Sequence, residues 1–182
     1  RKLLTGELST EDWGKVADLS PIFGASSLYM DDTAGITVAE MKAKLRRVRD
    51  LGLVVIDYLQ LMSSSRRSEN RVQEVSEITR SLKIMAKELN VPVITLSQLS
   101  RGPDSRSDHR PMLSDLRESG SIEQDADIVL FLYREAYYEK EREDQSETEC
   151  IVAKNRHGET GKIDLRWDGR YTRFFSVDRS RE

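Results

Sequence analysis

The chain has 182 residues, with 29 Lys and Arg against 32 Asp and Glu and a net charge of −3. That length suits one α/β domain, and that charge excludes a protein that holds nucleic acid by global basicity, so any such binding must rest on local patches. One cysteine, Cys150, excludes an internal disulfide and a cysteine-rich zinc site, and no apolar run approaches the roughly 18–20 residues of a membrane span.

Residues 1–6 lack a signal-peptide core. With no initiator Met and a reducing setting implied by the lone cysteine, the chain is expected to start inside a longer cytosolic protein. Ser9-Thr10-Glu11-Asp12 opens a short helix carrying Trp13, Val16 and Ala17. Residues 28–32, Leu-Tyr-Met-Asp-Asp, predict a short strand. Thr37-x-x-Glu40 is a capping box, followed by Val38, Met41, Leu45 and Val48 at helical spacing and a basic face of Lys42, Lys44, Arg46, Arg47 and Arg49.

Residues 53–62, Leu-Val-Val-Ile-Asp-Tyr-Leu-Gln-Leu-Met, carry the most information. Four apolar residues running into Asp57 predict a buried parallel strand with its carboxylate at the carboxyl end. In open α/β sheets that end faces the ligand crevice. A carboxylate there can hold Mg²⁺, through water, beside nucleotide phosphates. The plain alternative is a core strand that happens to end in Asp.

Past a polar, basic loop at 63–68, a long helix is predicted to about Leu89, with Val72, Val75, Ile78, Leu82, Met85 and Leu89 as its apolar stripe. Residues 91–98 predict a second buried strand ending in Ser97-Gln98. A Gln at a strand end can sense a γ-phosphate or orient an attacking water, or merely cap the strand. Residues 101–117 hold four Arg and three Asp without aromatic residues. That suits a few backbone contacts and argues against base stacking. In the polar run 114–127, Gly120 allows close backbone approach and Arg117 suits a phosphate; a helix cap and surface turn is the bland reading.

A third core strand is predicted at 127–133. Residues 134–149, with seven acids and three bases, read as a solvated connection. Strands at 149–154, 162–167 and 171–177 follow as a meander. Lys154 and Arg156, at i and i+2, project from one face and can address one anion across a subunit boundary, or face solvent. His109 and His157 lack metal-ligand spacing. The order predicts a mostly parallel sheet flanked by helices, with a C-terminal antiparallel extension.

The phosphate loop G-x-x-x-x-G-K-[ST] that such an Asp strand accompanies is absent. Of the two Gly-Lys pairs, Gly14-Lys15 has Ser9 in the first Gly position and Gly161-Lys162 has Arg156.

Residues 53–62, 70–82, 91–101, 110–133 and 154–158, together with 5–14, resemble the C-terminal motor domain of bacterial replicative DNA helicases of the DnaB type. The run Arg-Glu-Ser-Gly-Ser-Ile-Glu-Gln-Asp-Ala-Asp at 117–127 is the most specific part. The resemblance implies an α/β, RecA-like P-loop NTPase core, incomplete because the P-loop strand is missing, and one partial domain over 1–182. It implies a hexameric, 5′→3′ DNA helicase using ATP and Mg²⁺ in the bacterial cytoplasm. Its partners would be single-stranded DNA, its own copies in a homohexameric ring, primase and a loader.

By resemblance, Asp57 is the Mg²⁺-associated Walker B carboxylate, Gln98 couples nucleotide state to the DNA loops, and Arg117, Glu118 and Gly120 follow the DNA backbone. Arg156 is the arginine finger placed in trans, with Lys154 beside it. Without a P-loop, the 182 residues alone are expected to be ATPase-inactive. The family's P-loop strand lies between the Gln98 strand and the 127–133 strand, so its absence is expected to leave a gap inside the sheet and a marginal or self-associating chain. A RecA-like recombinase or filament ATPase fragment, and a non-catalytic DNA- or subunit-binding module, are the competing readings.

Overall fold

In this computed structural model, residues 2–65, 70–116, 120–141 and 143–177 are described. The chain divides after Thr33 into two compact units.

The first unit is helical. α1 (Lys2–Thr5) precedes α2 (Thr10–Ala25). The Ser9 hydroxyl accepts from the Asp12 N–H and the Asp12 carboxylate accepts from the Ser9 N–H, which satisfies two orphan donors of the first turn. At 16 residues α2 is not the short helix expected; it continues through Pro21. None of its residues is buried, and Trp13, Leu19, Ile22 and Phe23 are exposed. The strand expected at 28–32 does not form. No strand lies beside it in its unit, and an extended segment without a ladder leaves its backbone groups to water.

In the second unit the expected capping box is present: the Thr37 hydroxyl accepts from the Glu40 N–H and starts α3 (Val38–Leu45). β1 (Val54–Ile56) and β2 (Val93–Thr95) pair in parallel, Val54 opposite Val93 and Ile56 opposite Thr95. Both strands are shorter than the apolar runs suggested. After Asp57 the chain turns into a single 3₁₀ turn, Leu59–Leu61. Between the strands runs α4 (Arg71–Leu89), N-capped by Asn70 and ended by Asn90 in the left-handed region at φ 53°. Asn tolerates that conformation better than most residues.

The helix stripe read from the sequence builds the first core, except that Val72 at its start is exposed and Leu89 at its end is only partly buried. Val75, Ile78, Leu82 and Met85 bury against Val54, Ile56, Leu59 and Met62. A second core forms around Leu116, Val129 and Phe131. Ile122, on α5 (Gly120–Asp125), packs against both cores and so fixes that short helix.

β3 (Ile128–Tyr133), β4 (Glu147–Asn155), β5 (Gly161–Asp168) and β6 (Arg173–Ser176) form a separate antiparallel sheet in that order. The meander therefore stands as expected. β2 and β3 do not pair, and each presents an open edge among the described strands. Their apolar runs predicted burial on both faces. Instead burial alternates: Val129, Phe131 and Tyr133 are buried, whereas Ile128, Leu130 and Leu132 leave more than half their surface exposed, as do Val55 and Ile94. For β1 and β2, which pair in parallel, one bare apolar face means that a covering layer is missing. This is the incomplete α/β core that the absent P-loop strand implied.

Residues 134–149 are not wholly solvated. Residues Glu135–Tyr137 make a 3₁₀ turn, Ala136 and Thr148 are buried, and Glu149 lies in β4. The loop between β2 and α5 is fastened by a nearly buried carboxylate, Asp115. It accepts from Arg106 Nη1 at 2.8 Å and from the Met112 N–H at 2.8 Å. Gly102 packs over it: a Cβ at 102 would stand 2.4 Å from Asp115 Oδ1. That carboxylate is held from two sides and cannot yield, so Gly102→Ala is expected to lower the apparent melting midpoint of the full-length protein by a few degrees, corresponding to about 1–3 kcal/mol of overpacking. An unchanged midpoint in a thermal scan would refute the contact.

Candidate functional site

The parallel pair sets the site. Asp57 follows the last residue of β1, and Gln98 lies three residues beyond β2. Main-chain bonds continue past the ladder, Leu96 N–H to Ile56 O and Leu59 N–H to Leu96 O, both 2.9 Å. The two carboxyl ends therefore stay side by side. The Asp57 and Gln98 side chains are exposed, and neither makes a hydrogen bond to a described residue. The Asp57–Tyr58 peptide is cis. A single unpartnered carboxylate suits Mg²⁺, which keeps several waters and takes its other ligands from phosphates. No cluster of three metal-ligating side chains occurs among the described residues.

The second group lies at the end of α5. Lys154 Nζ donates to the carbonyls of Glu123 (2.5 Å) and Ala126 (2.8 Å). Arg156 Nη2 reaches the Gln124 carbonyl at 3.3 Å, and Nη1 lies 3.1 Å from Asp127 Oδ1. Within the chain both cations turn to the carbonyl end of α5, where cations complement the helix dipole. Lys has three donors and Arg five, so neither cation is exhausted. Asp127 also pairs with Lys83, whose proximity, with that of Arg156, holds its carboxyl below the usual range against the opposing effect of burial.

α4 braces the same helix through two polar contacts, Ser76 to Ser121 (2.9 Å) and Thr79 to Asp125 (2.7 Å), and the segment just after it through Lys83 to Asp127. Sequence reading missed these. A signal existed: Ser76, Thr79 and Lys83 recur at i, i+3 and i+7, a second stripe beside the apolar one. Gly120 begins α5 with open space where a Cβ would stand. Arg117 and Glu118 lie outside the described residues. In the 101–117 loop, two of the arginines taken as backbone contacts are committed elsewhere. Arg106 is bound to Asp115, and Arg110 forks onto Glu149 at 2.6 and 2.9 Å. Only Arg101 of the described arginines there has no such partner.

Two parallel strands ending in an unpartnered Asp and Gln, with a Lys–Arg pair on an adjoining antiparallel sheet, define an ATPase-type α/β core. Residues 1–176 match the model of the DnaB-like helicase C terminal domain, and the chain belongs to that family. It is 54% identical over 183 aligned positions to the replicative DNA helicase DnaC of Bacillus subtilis, covering 98% of this chain and 40% of that protein. It is 44% identical to the replicative DNA helicase DnaB of Pasteurella multocida, covering 100% and 40%. Among solved structures, a DnaB-like replicative helicase described with its interactions with primase superposes with a TM-score of 0.87 at 44% identity, over 94% of this chain and 43% of the other. A second, solved as an ATPase domain, gives 0.89 at 43% identity, over 97% and 64%. The chain thus spans about 40% of the length of the curated relatives it matches.

Proposed function

We propose that these residues are part of a ring-forming replicative DNA helicase, a homohexamer that hydrolyses ATP and moves 5′→3′ along single-stranded DNA. The observation that carries this is the pair Asp57 and Gln98, unpartnered side chains at adjacent ends of two paired parallel strands, within a family match that spans nearly the whole chain. The 182 residues make up one partial RecA-like domain. ATP supplies a phosphoryl group whose transfer to water releases free energy, and Mg²⁺ neutralises its charge.

Asp57 would be the carboxylate that holds Mg²⁺ in place, and the ion would supply charge neutralisation at the phosphates. Gln98 presents its amide to the terminal phosphate and to the attacking water. Lys154 and Arg156, steadied by the α5 carbonyls, offer their remaining donors to the phosphates bound by the neighbouring subunit; stabilisation of developing charge from a partner is the usual work of such an Arg. Arg117, Glu118 and Gly120 follow the DNA backbone, and α5 carries that loop's position to Lys154 and Arg156. Primase and a loader are further partners, the former in line with the primase-associated relative. The setting is the bacterial cytoplasm at the replisome; no described helix is long and apolar enough to cross a membrane.

The P-loop pattern is absent from the 182 residues, and no turnover is expected from them alone. In the full-length protein, Asp57→Asn keeps the shape of the side chain and removes its charge. It is expected to lower DNA-stimulated ATP turnover by about 10²-fold or more while light scattering still shows hexamers. Wild-type turnover in that variant would overturn the assignment.

A further inference from the structure

Beyond Leu96 the two strand ends part, and no main-chain atom of residues 57–62 bonds to Ser97 or Gln98 among the described residues. One side chain replaces the missing rungs. Gln60 Oε1 accepts from the Gln98 N–H at 3.2 Å, and Gln60 Nε2 donates to the Gln98 carbonyl at 3.3 Å and to Ser97 Oγ at 3.1 Å. The orientation of the amide follows from the chemistry: an N–H can only donate and a carbonyl can only accept, so Oε1 must face the first and Nε2 the second. The anchor is itself held. The Gln60 carbonyl accepts from Arg71 Nη2 at 2.9 Å, and Arg71 pairs with Glu74 at 2.6 Å in the first turn of α4.

Gln60 stands three residues after Asp57 and grips both backbone groups of Gln98, whose own amide is left free. From this geometry we infer that Gln60 is a positioning residue: it holds the Gln98 backbone in register with Asp57, so that the Gln98 amide and the Asp57 carboxylate address the same nucleotide. The inference rests on the role proposed above for Gln98. Gln is suited to the position because it alone supplies a donor and an acceptor side by side at this reach. Glu would set an oxygen against the Gln98 carbonyl, and Leu would leave both backbone groups without their partner.

The test uses the full-length helicase and steady-state ATP hydrolysis with single-stranded DNA, in the wild type and in Gln60→Leu, Gln60→Glu, Gln98→Ala and Gln60→Leu/Gln98→Ala. Hexamer formation is checked by light scattering. Both Gln60 variants are expected to lower kcat about tenfold with KM for ATP within about twofold, because the interaction acts after ATP is bound. In the Gln98→Ala background, Gln60→Leu is expected to cost nothing further, the coupling that marks residues acting as one unit.

Equal costs of Gln60→Leu in both backgrounds would show a general structural role and overturn the inference while leaving Gln98 in place. Unchanged kcat in both Gln60 variants would also overturn it. Loss of the hexamer in both Gln60 variants would make Gln60 a folding residue and would likewise refute it. Wild-type kcat in Gln98→Ala would instead remove the role proposed for Gln98, and the inference with it.

Discussion

Replacing Arg156 by Ala in the full-length protein is expected to lower DNA-stimulated ATP turnover by about 10³-fold, the scale on which an arginine supplied to a phosphoryl transfer acts. Arg156 is fixed by the Gln124 carbonyl and the Asp127 carboxylate, so the loss should not come with a collapsed sheet. Asp127 retains Lys83 when the Arg is gone. The stronger form of the prediction concerns mixed rings. A site that takes Asp57 from one subunit and Arg156 from the next is a heterologous contact.

Subunits carrying Asp57→Asn and subunits carrying Arg156→Ala are each expected to be nearly inactive alone. Mixed in equal amounts before the ring assembles, they should regain activity, because about a quarter of the junctions then combine an intact Asp57 with an intact Arg156. ATP hydrolysis by reassembled mixtures measures this directly. No recovery, with subunit exchange confirmed by mass, would place Arg156 in its own subunit's site or outside any site.

The contrast between what the sequence showed and what it hid has physical causes. The α4 stripe was legible because period and burial coincide: Val75, Ile78, Leu82 and Met85 are all in the core. The capping box at Thr37 and the meander were legible because each is local, settled within a few residues. Strand ends were not. The apolar run from Leu53 is followed by more apolar residues as far as Met62, which gives no sign of where the strand stops, yet the ladder closes at Ile56 opposite Thr95. Residues 28–32 have the composition of a strand and no neighbour to pair with. Whether an apolar run becomes a strand is a property of two segments.

The site divides the same way. Asp57 and Gln98 could be singled out as candidates because a polar residue closing an apolar run is a one-dimensional signal, and the structure sets them at adjacent strand ends. Gln60 was within the quoted motif but carried no role, since its importance lies in reaching a backbone 38 residues away. The Arg106–Asp115 and Arg110–Glu149 pairs show the converse error. A count of charges in residues 101–117 and 134–149 treats them as free, and the fold neutralises them against one another.

Removal of the Asp115 carboxylate has the largest expected effect on stability. Asp115→Ala leaves the Met112 N–H without its acceptor, takes from the Arg106 guanidinium its carboxylate partner and leaves it the Arg110 carbonyl, and opens the space against which Gly102 is packed. Stranding one partner of a largely buried pair costs far more than a surface ion pair would. The apparent melting midpoint of the full-length protein should fall by roughly 5–10 °C. Asp115→Asn, which keeps an acceptor for the N–H, should fall by less.

The same carboxyl ties stability to acid. The hydrogen bond from Arg106 holds the Asp115 carboxyl below its usual range, against a smaller opposing effect of burial, and Arg110 does the same for Glu149. A carboxyl depressed in the folded state stabilises fully above its unfolded value, about 4, and loses that contribution as pH falls through the lower folded value. Melting midpoints should therefore be level from pH 7 to about 5 and drop below about 4. The drop should be shallower in Asp115→Asn, where one of the depressed carboxyls is gone. Equal acid slopes in the two proteins would mean that the pair fastening residues 100–116 is open in solution, and the Asp115→Ala prediction would fail with it.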